Sequence, residues 1–211
     1  MIYENDTFKY ILEDNNEITI VGVINKDIKL CVIPEKIDNK PVKIIGDRAF
    51  SFCKNLKEIK ISNGIIKIGK NSFQKCENLE KIELSSSLTK IEAYAFSGCK
   101  KLEKIKLPDS ITEIGIFAFF SCLKLKEIKI PKYITEIENS TFQNCKSLEK
   151  VELPSSIKII GNDAFSDCKK LKEIKLPSTL TTIGEWAFSH CEKLKEIKLP
   201  SGLKTIEEGI F

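Results

Sequence analysis

The chain has 211 residues, 42% hydrophobic and 30% charged, which is enough to bury a sizeable core. Its 34 basic and 30 acidic residues leave a formal net charge of +4, with both signs mixed along the whole length. Arg48 is the single arginine, so the bidentate contacts that read guanine or clamp phosphate are all but absent, which argues against a nucleic-acid partner.

Nor is any apolar run of about 18 residues present, so no membrane insertion is expected of this chain. The opening Met1-Ile2-Tyr3-Glu4-Asn5-Asp6 lacks the basic-then-apolar pattern of a secretory signal. Phe8, Tyr10 and Leu12 alternate with polar neighbours, as do Ile18 and Ile20 beyond Asp14-Asn15-Asn16. That pattern predicts a β-hairpin, and residues 1–27 are expected to cap the N-terminal end of the fold.

Residues 28–55 form a degenerate first rung. Ile28-Lys29-Leu30-Cys31-Val32-Ile33-Pro34 opens it, and Val42-Lys43-Ile44-Ile45-Gly46-Asp47-Arg48-Ala49-Phe50 resumes it after a short insertion. From there the chain repeats every 23 residues: Phe recurs at 50, 73, 96, 119, 142, 165, 188 and 211. Cys follows the first seven by three, from Cys53 to Cys191, and Leu by six, from Leu56 to Leu194. A later apolar column runs from Ile68 to Ile206. Six full repeats span 56–193, and a partial one spans 194–211.

Within Leu102-Glu103-Lys104-Ile105-Lys106-Leu107-Pro108, charged and apolar residues alternate, and period 2 predicts a half-buried strand in each repeat. Pro108 stops it, since proline cannot donate to a ladder. A coil of this kind cannot bury its apolar side alone, but stacked coils form one core. The expected architecture is a solenoid of stacked parallel strands, with Phe, Cys and Ile/Leu ladders inside. Strands about 4.8 Å apart would make eight rungs a rod on the order of 40 Å long. The column holding Gly69, Gly115, Gly161 and Gly184 also holds Glu92, Glu138 and Glu207, and is read as a tolerant turn position. The chain stops at Phe211 inside the spine, with no capping segment after it.

The unit Leu-x-x-Ile-x-Leu-Pro-x-x-Leu-x-x-Ile-Gly-x-x-Ala-Phe-x-x-Cys-x-x resembles the BspA-like class of leucine-rich repeats, and Leu171 to Lys193 matches it almost letter for letter. The resemblance covers residues 28–211. It implies a curved or rod-like right-handed leucine-rich-repeat solenoid on a bacterial or protist cell surface, or secreted, acting in adhesion and binding of host proteins. Ser62 and Ser85 replace the proline in the first two repeats.

The cysteines are read as buried free thiols, since in-register parallel rungs point them the same way and a spacing of 23 is not that of a zinc site. With His190 the one histidine, neither a Ser–His–Asp triad nor a multi-His metal site is built, and its position is read as exposed and idle. Trp186 shares a variable position with Tyr94 and Phe117, where partial packing or partner contact is expected. No nucleophile elbow, Walker loop, Rossmann fingerprint or HExxH occurs, so neither enzyme activity nor a cofactor is expected.

The outward strand positions form two charged columns. The candidate partner-binding residues are Glu58, Lys60, Lys81, Glu83, Lys104, Lys106, Glu127, Lys129, Lys150, Glu152, Glu173 and Lys175. Eight of the twelve neighbours along the two columns, continued to Glu196 and Lys198, are opposite in sign. This face reads either as a solubilising surface or as one that recognises a protein. The Lys104/Lys106 rung alone carries one sign, and with Lys100, Lys101, Lys124, Lys126 and Lys129 it makes a basic patch expected to favour an acidic ligand. The function expected first is a non-enzymatic, adhesin-type scaffold. The alternatives are self-assembly through the open C-terminal end and the sensing segment of a larger receptor.

Overall fold

The computed structural model describes residues 1–210, so the expectation for Phe211 lies outside the described residues. Three antiparallel strands open the chain: β1 (Ile2–Glu4), β2 (Phe8–Leu12) and β3 (Ile18–Val23). β3 then pairs in parallel with Lys40–Ile45. The short insertion in the first rung is itself a hairpin, in which Lys36–Ile37 folds back on Lys40–Ile45. Asp38 and Asn39 make its turn at φ 50° and 61°, and the Tyr10 hydroxyl donates to Asp38 at 2.8 Å. Asn and Asp tolerate that left-handed conformation better than most side chains.

The remainder is a β-solenoid of about seven turns, with no helix among the described residues. Each coil has three sides. The front carries the expected strands, in parallel register from Leu30–Ile33 through Glu58–Ile61 to Lys81–Glu83, and again from Glu127–Lys129 through Lys150–Glu152 to Glu173–Ile174. A second ladder of two-residue strands runs along the later isoleucine column, for example Lys67–Ile68, Lys90–Ile91 and Glu113–Ile114. The third side has no strands. There Phe96 N–H reaches the Ala118 carbonyl of the next coil at 2.8 Å, flanked by Tyr94 to Ile116 and Gly98 to Phe120. The intervening N–H groups bond within their own coil, as Ser97 does to Tyr94.

That alternation requires two left-handed residues per coil. Arg48, Asn71, Tyr94, Phe117, Ser140, Asp163, Trp186 and Gly209 fill one position, and Phe52, Lys75, Gly98, Ser121, Asn144, Asp167 and His190 the other, all at φ of 55–75°. The variable sites of Trp186 and His190 are thus constrained in backbone and free in side chain. His190 is exposed, as expected. Trp186 is 50% exposed and lies over Gly209, where a Cβ would come within 2.6 Å of the indole. The glycine column demands no left-handed backbone, in keeping with a tolerant turn position, but it lies close to the preceding coil. None of Gly69, Gly115, Gly161 and Gly184 has positive φ, but a Cβ on Gly115 would sit 2.6 Å from the Ala93 nitrogen. Glycine there lets consecutive coils approach closely.

The core is a set of parallel ladders. Phe rings 50, 73, 96, 119, 142, 165 and 188 stack at 5.1–5.5 Å between centroids, and all are buried. All eight cysteines are free thiols. Six of them donate to the carbonyl of the phenylalanine 26 residues earlier, from Cys76 to Phe50 at 3.1 Å through Cys191 to Phe165 at 3.2 Å. In each of these bonds the S–H points at a backbone oxygen rather than at another sulfur. Burial pushes Cys31, Cys145 and Cys191 up to about 12. Cys99, Cys122 and Cys168 are driven well above the ordinary thiol value by the same cause.

Candidate functional site

All twelve predicted partner-binding residues are exposed, on the front of the solenoid, while Ile59, Ile82, Ile105, Ile128, Val151 and Ile174 between them are buried. The alternation of the strand places them there. The ion pairs among them are long or solvent-exposed: Lys60–Glu83 3.8 Å, Lys81–Glu83 3.4 Å, Lys104–Glu127 3.3 Å and Lys150–Glu152 2.5 Å. Exposed pairs of this kind contribute little to stability. The Glu152 carboxyl is held below its usual value by its hydrogen bond with Lys150, and Lys150 is correspondingly raised.

Two of the expected front strands do not form. Residues 102–108 and 194–200 carry no strand, and among the described residues the N–H and C=O groups of 104–107 make no backbone hydrogen bond. The front ladder is therefore interrupted between Lys81–Glu83 and Glu127–Lys129. The charges account for the position of the gaps. Adjacent rungs pair wherever both outward neighbours are opposite in sign: Glu58/Lys81 with Lys60/Glu83, Glu127/Lys150 with Lys129/Glu152, and Lys150/Glu173 with Glu152/Lys175. Pairing fails wherever a like pair occurs: Lys81/Lys104, Lys106/Lys129, and Glu173/Glu196 with Lys175/Lys198. Like charges directly opposite on one sheet face destabilise it.

The second ladder breaks once, between Glu113–Ile114 and Glu136–Ile137, where Glu113 and Glu136 adjoin. Burial and the nearby Glu138 push the Glu136 carboxyl upward. Lys67 and Lys90 are alike in sign yet paired, and Glu92 lies between them at 3.1 and 3.6 Å. At the junction of coils 102–124 and 125–147 neither strand ladder is thus continuous, and on the front, among the described residues, a single backbone bond crosses it, from Lys126 N–H to the Glu103 carbonyl at 3.1 Å. The third side remains closed there through Phe117 N–H to Asn139, Phe119 to Thr141 and Ser121 to Gln143.

At the open rung lies a concavity of about 830 Å³. Lys104, Lys106, Glu127, Lys129, Lys150 and Glu152 stand around it, with Ile105 and Leu107 in its floor. Lys106 and Lys129 have no carboxylate within ion-pair distance among the described residues. The flanking Lys100, Lys101 and Lys126 are occupied by Glu77, Glu80 and Glu103 at 3.0, 3.9 and 2.8 Å, so of the basic patch Lys106, Lys124 and Lys129 are left without an ion-pair partner among the described residues.

Two residues escaped the sequence reading. Leu30 and Val32 occupy the outward positions of Leu30–Ile33, 65% and 61% exposed, at the outer edge of the front ladder. Their signal was visible as apolar residues where every later rung carries charge. Among the described residues no group of three or more His, Cys, Asp or Glu is arranged to hold a metal ion, and no helix is long and apolar enough to cross a membrane.

The model of the BspA type leucine rich repeat region matches residues 25–149 and 135–211, in six copies. No curated protein matches the chain. Among solved structures, a leucine-rich repeat protein of T. pallidum is similar at 30% identity and TM-score 0.87, over 92% of this chain and 91% of that one. One from Bacteroides ovatus is similar at 33% identity and TM-score 0.87, over 95% of this chain and 54% of that one. A leucine-rich cell surface protein from Faecalibacterium prausnitzii is similar at 31% identity and TM-score 0.83, over 92% of this chain and 53% of that one. The chain therefore spans nearly the full length of the first and about half of the other two.

Proposed function

The chain belongs to the BspA-type leucine-rich repeat family, and from that premise we propose that it is an adhesin-type, non-enzymatic scaffold that binds a host or matrix protein through its front strand face. Repeat proteins of this family are protein-interaction scaffolds in general. The observation that carries the finer reading is the front face itself: twelve charged side chains, all in solvent, most of them on ladder segments that stack in register on either side of the open rung. Rigid elements present such side chains with little ordering entropy left to lose on binding. The reading includes a cell-surface setting, supported by the surface protein of F. prausnitzii that it resembles, and an end-covering role for residues 1–27.

Beads coated with the chain are expected to adhere to decellularised fibroblast matrix. Reversing Lys60, Glu127, Lys150 and Glu173 together leaves the net charge unchanged and should remove most of that adhesion, because misplaced charges at an interface are repulsive. Full adhesion by this variant would overturn the reading.

A further inference from the structure

Resting on the front face as the recognition surface, we propose that the open rung 104–107 is the docking site for an extended acidic peptide segment of the partner. Three features meet there. First, the chain's own charges hold the ladder open: Lys104 follows Lys81, and Lys106 precedes Lys129, so the rung is repelled at one outward position on each side. Second, the backbone N–H and C=O groups of 104–107 are left without backbone partners among the described residues. Such groups are obligate hydrogen-bonders, and closing the ladder satisfies them against the rungs on either side. Third, the cavity above them has lysines without carboxylate partners, Lys106 and Lys129, around an apolar floor that includes Ile105 and Leu107.

A carboxylate placed between Lys106 and Lys129 does what Glu92 already does between Lys67 and Lys90, where the ladder is closed despite like charges. Binding and ladder closure are then one event. The acidic segment removes the repulsion that opened the rung, and the rung's backbone groups become ordered beneath it. The ligand fitting this site has carboxylates at alternate residues, facing the lysines, and small apolar residues between them.

The test uses the full chain and a terminally blocked decapeptide of alternating Glu and Ala, followed by calorimetry and by amide hydrogen exchange. The wild-type chain should bind it, and exchange at 104–107 should slow on binding. Neutralising Lys106 and Lys129 to Gln removes both lysines without setting a like charge opposite Glu83 or Glu152, so the neighbouring rungs stay paired. Affinity should fall about tenfold or more, as for close charge pairs at an interface. Neutralising Lys158 and Lys204 to Gln changes the net charge equally, away from the front face, and should change affinity less than about threefold. Equal weakening by both variants, or no slowing at 104–107, would overturn the proposal. So would equal protection of these amides by a sulfated hexasaccharide, which would mark the rung as a general polyanion site. If the peptide fails while matrix adhesion still depends on the front charges, this proposal falls and the scaffold reading stands. If the four-residue reversal leaves adhesion intact, the scaffold reading falls.

Discussion

Between about pH 9 and pH 11 the reduced chain is expected to unfold in a transition much steeper than one ionisation can produce. All eight thiols have pKa values raised in the folded state, with burial the largest cause at each. In the unfolded chain they ionise near their ordinary value of about 8.5. The folded state therefore keeps its protons when the unfolded state has released its own. The stability that the neutral thiols contribute is complete below the ordinary thiol value. It is lost as pH climbs from there towards the folded values, which reach about 12 at Cys31, Cys145 and Cys191. Each thiol removes about 1.4 kcal/mol per pH unit within that window. Acting together, they remove on the order of 10 kcal/mol per unit, comparable to the whole stability of a typical domain. Circular dichroism across a pH series in reductant reads the steepness. Replacing Cys122 and Cys145 by Ala should make the transition shallower, despite costing stability at neutral pH. A wild-type curve fitted by a single proton would contradict the thiol ladder.

The second large effect lies in the phenylalanine spine. Phe119→Ala is expected to cost roughly 3–5 kcal/mol, from lost burial together with the cavity left behind. Phe119 is fully buried between Phe96 and Phe142, at 5.4 Å from each. Its coil meets the next one where neither strand ladder is continuous, so the third side, the stacked rings and the single Lys126–Glu103 backbone bond carry that junction. In a solenoid, stability is a sum of coil terms and nearest-neighbour interfaces. Weakening the interface with the fewest backbone bonds should uncouple the two halves. Phe119→Ala should therefore give a broadened or two-step urea transition, and Phe165→Ala, at a junction with both ladders closed, a single one. A loss below about 1 kcal/mol, or identical curve shapes, would contradict this assignment.

Much of this architecture is legible in the residues. The 23-residue period sets the inward columns, and the structure buries Phe, Cys and Leu where the period puts them. The third side is not legible. Its left-handed positions are filled by Tyr94, Phe117, Trp186 and His190 as readily as by Gly98 or Asn144, and large side chains do not advertise positive φ. The second ladder escapes a strand assignment because two residues show no period. The open rungs escape for another reason. Lys104-Ile105-Lys106-Leu107 has the alternation of its neighbours, and nothing within that segment distinguishes it. The distinction lies between rungs, in Lys104 following Lys81 and Lys129 following Lys106. In sequence the single sign of that rung reads as a binding feature, whereas its first consequence is structural.

The most direct test of this account is amide hydrogen exchange along the front face at neutral pH. Amides at 104–107 and 196–199 should exchange fast, and those within Glu58–Ile61, Glu127–Lys129 and Lys150–Glu152 slowly. Lys104→Glu makes both neighbours of the preceding rung opposite in sign, Lys81 with residue 104 and Glu83 with Lys106, so it should slow exchange at 104–107 by closing that side of the gap. Uniform protection along the wild-type ladder, or a Lys104→Glu variant that exchanges as fast as wild type, would contradict the claim that charge register decides where this face is closed and where it is open.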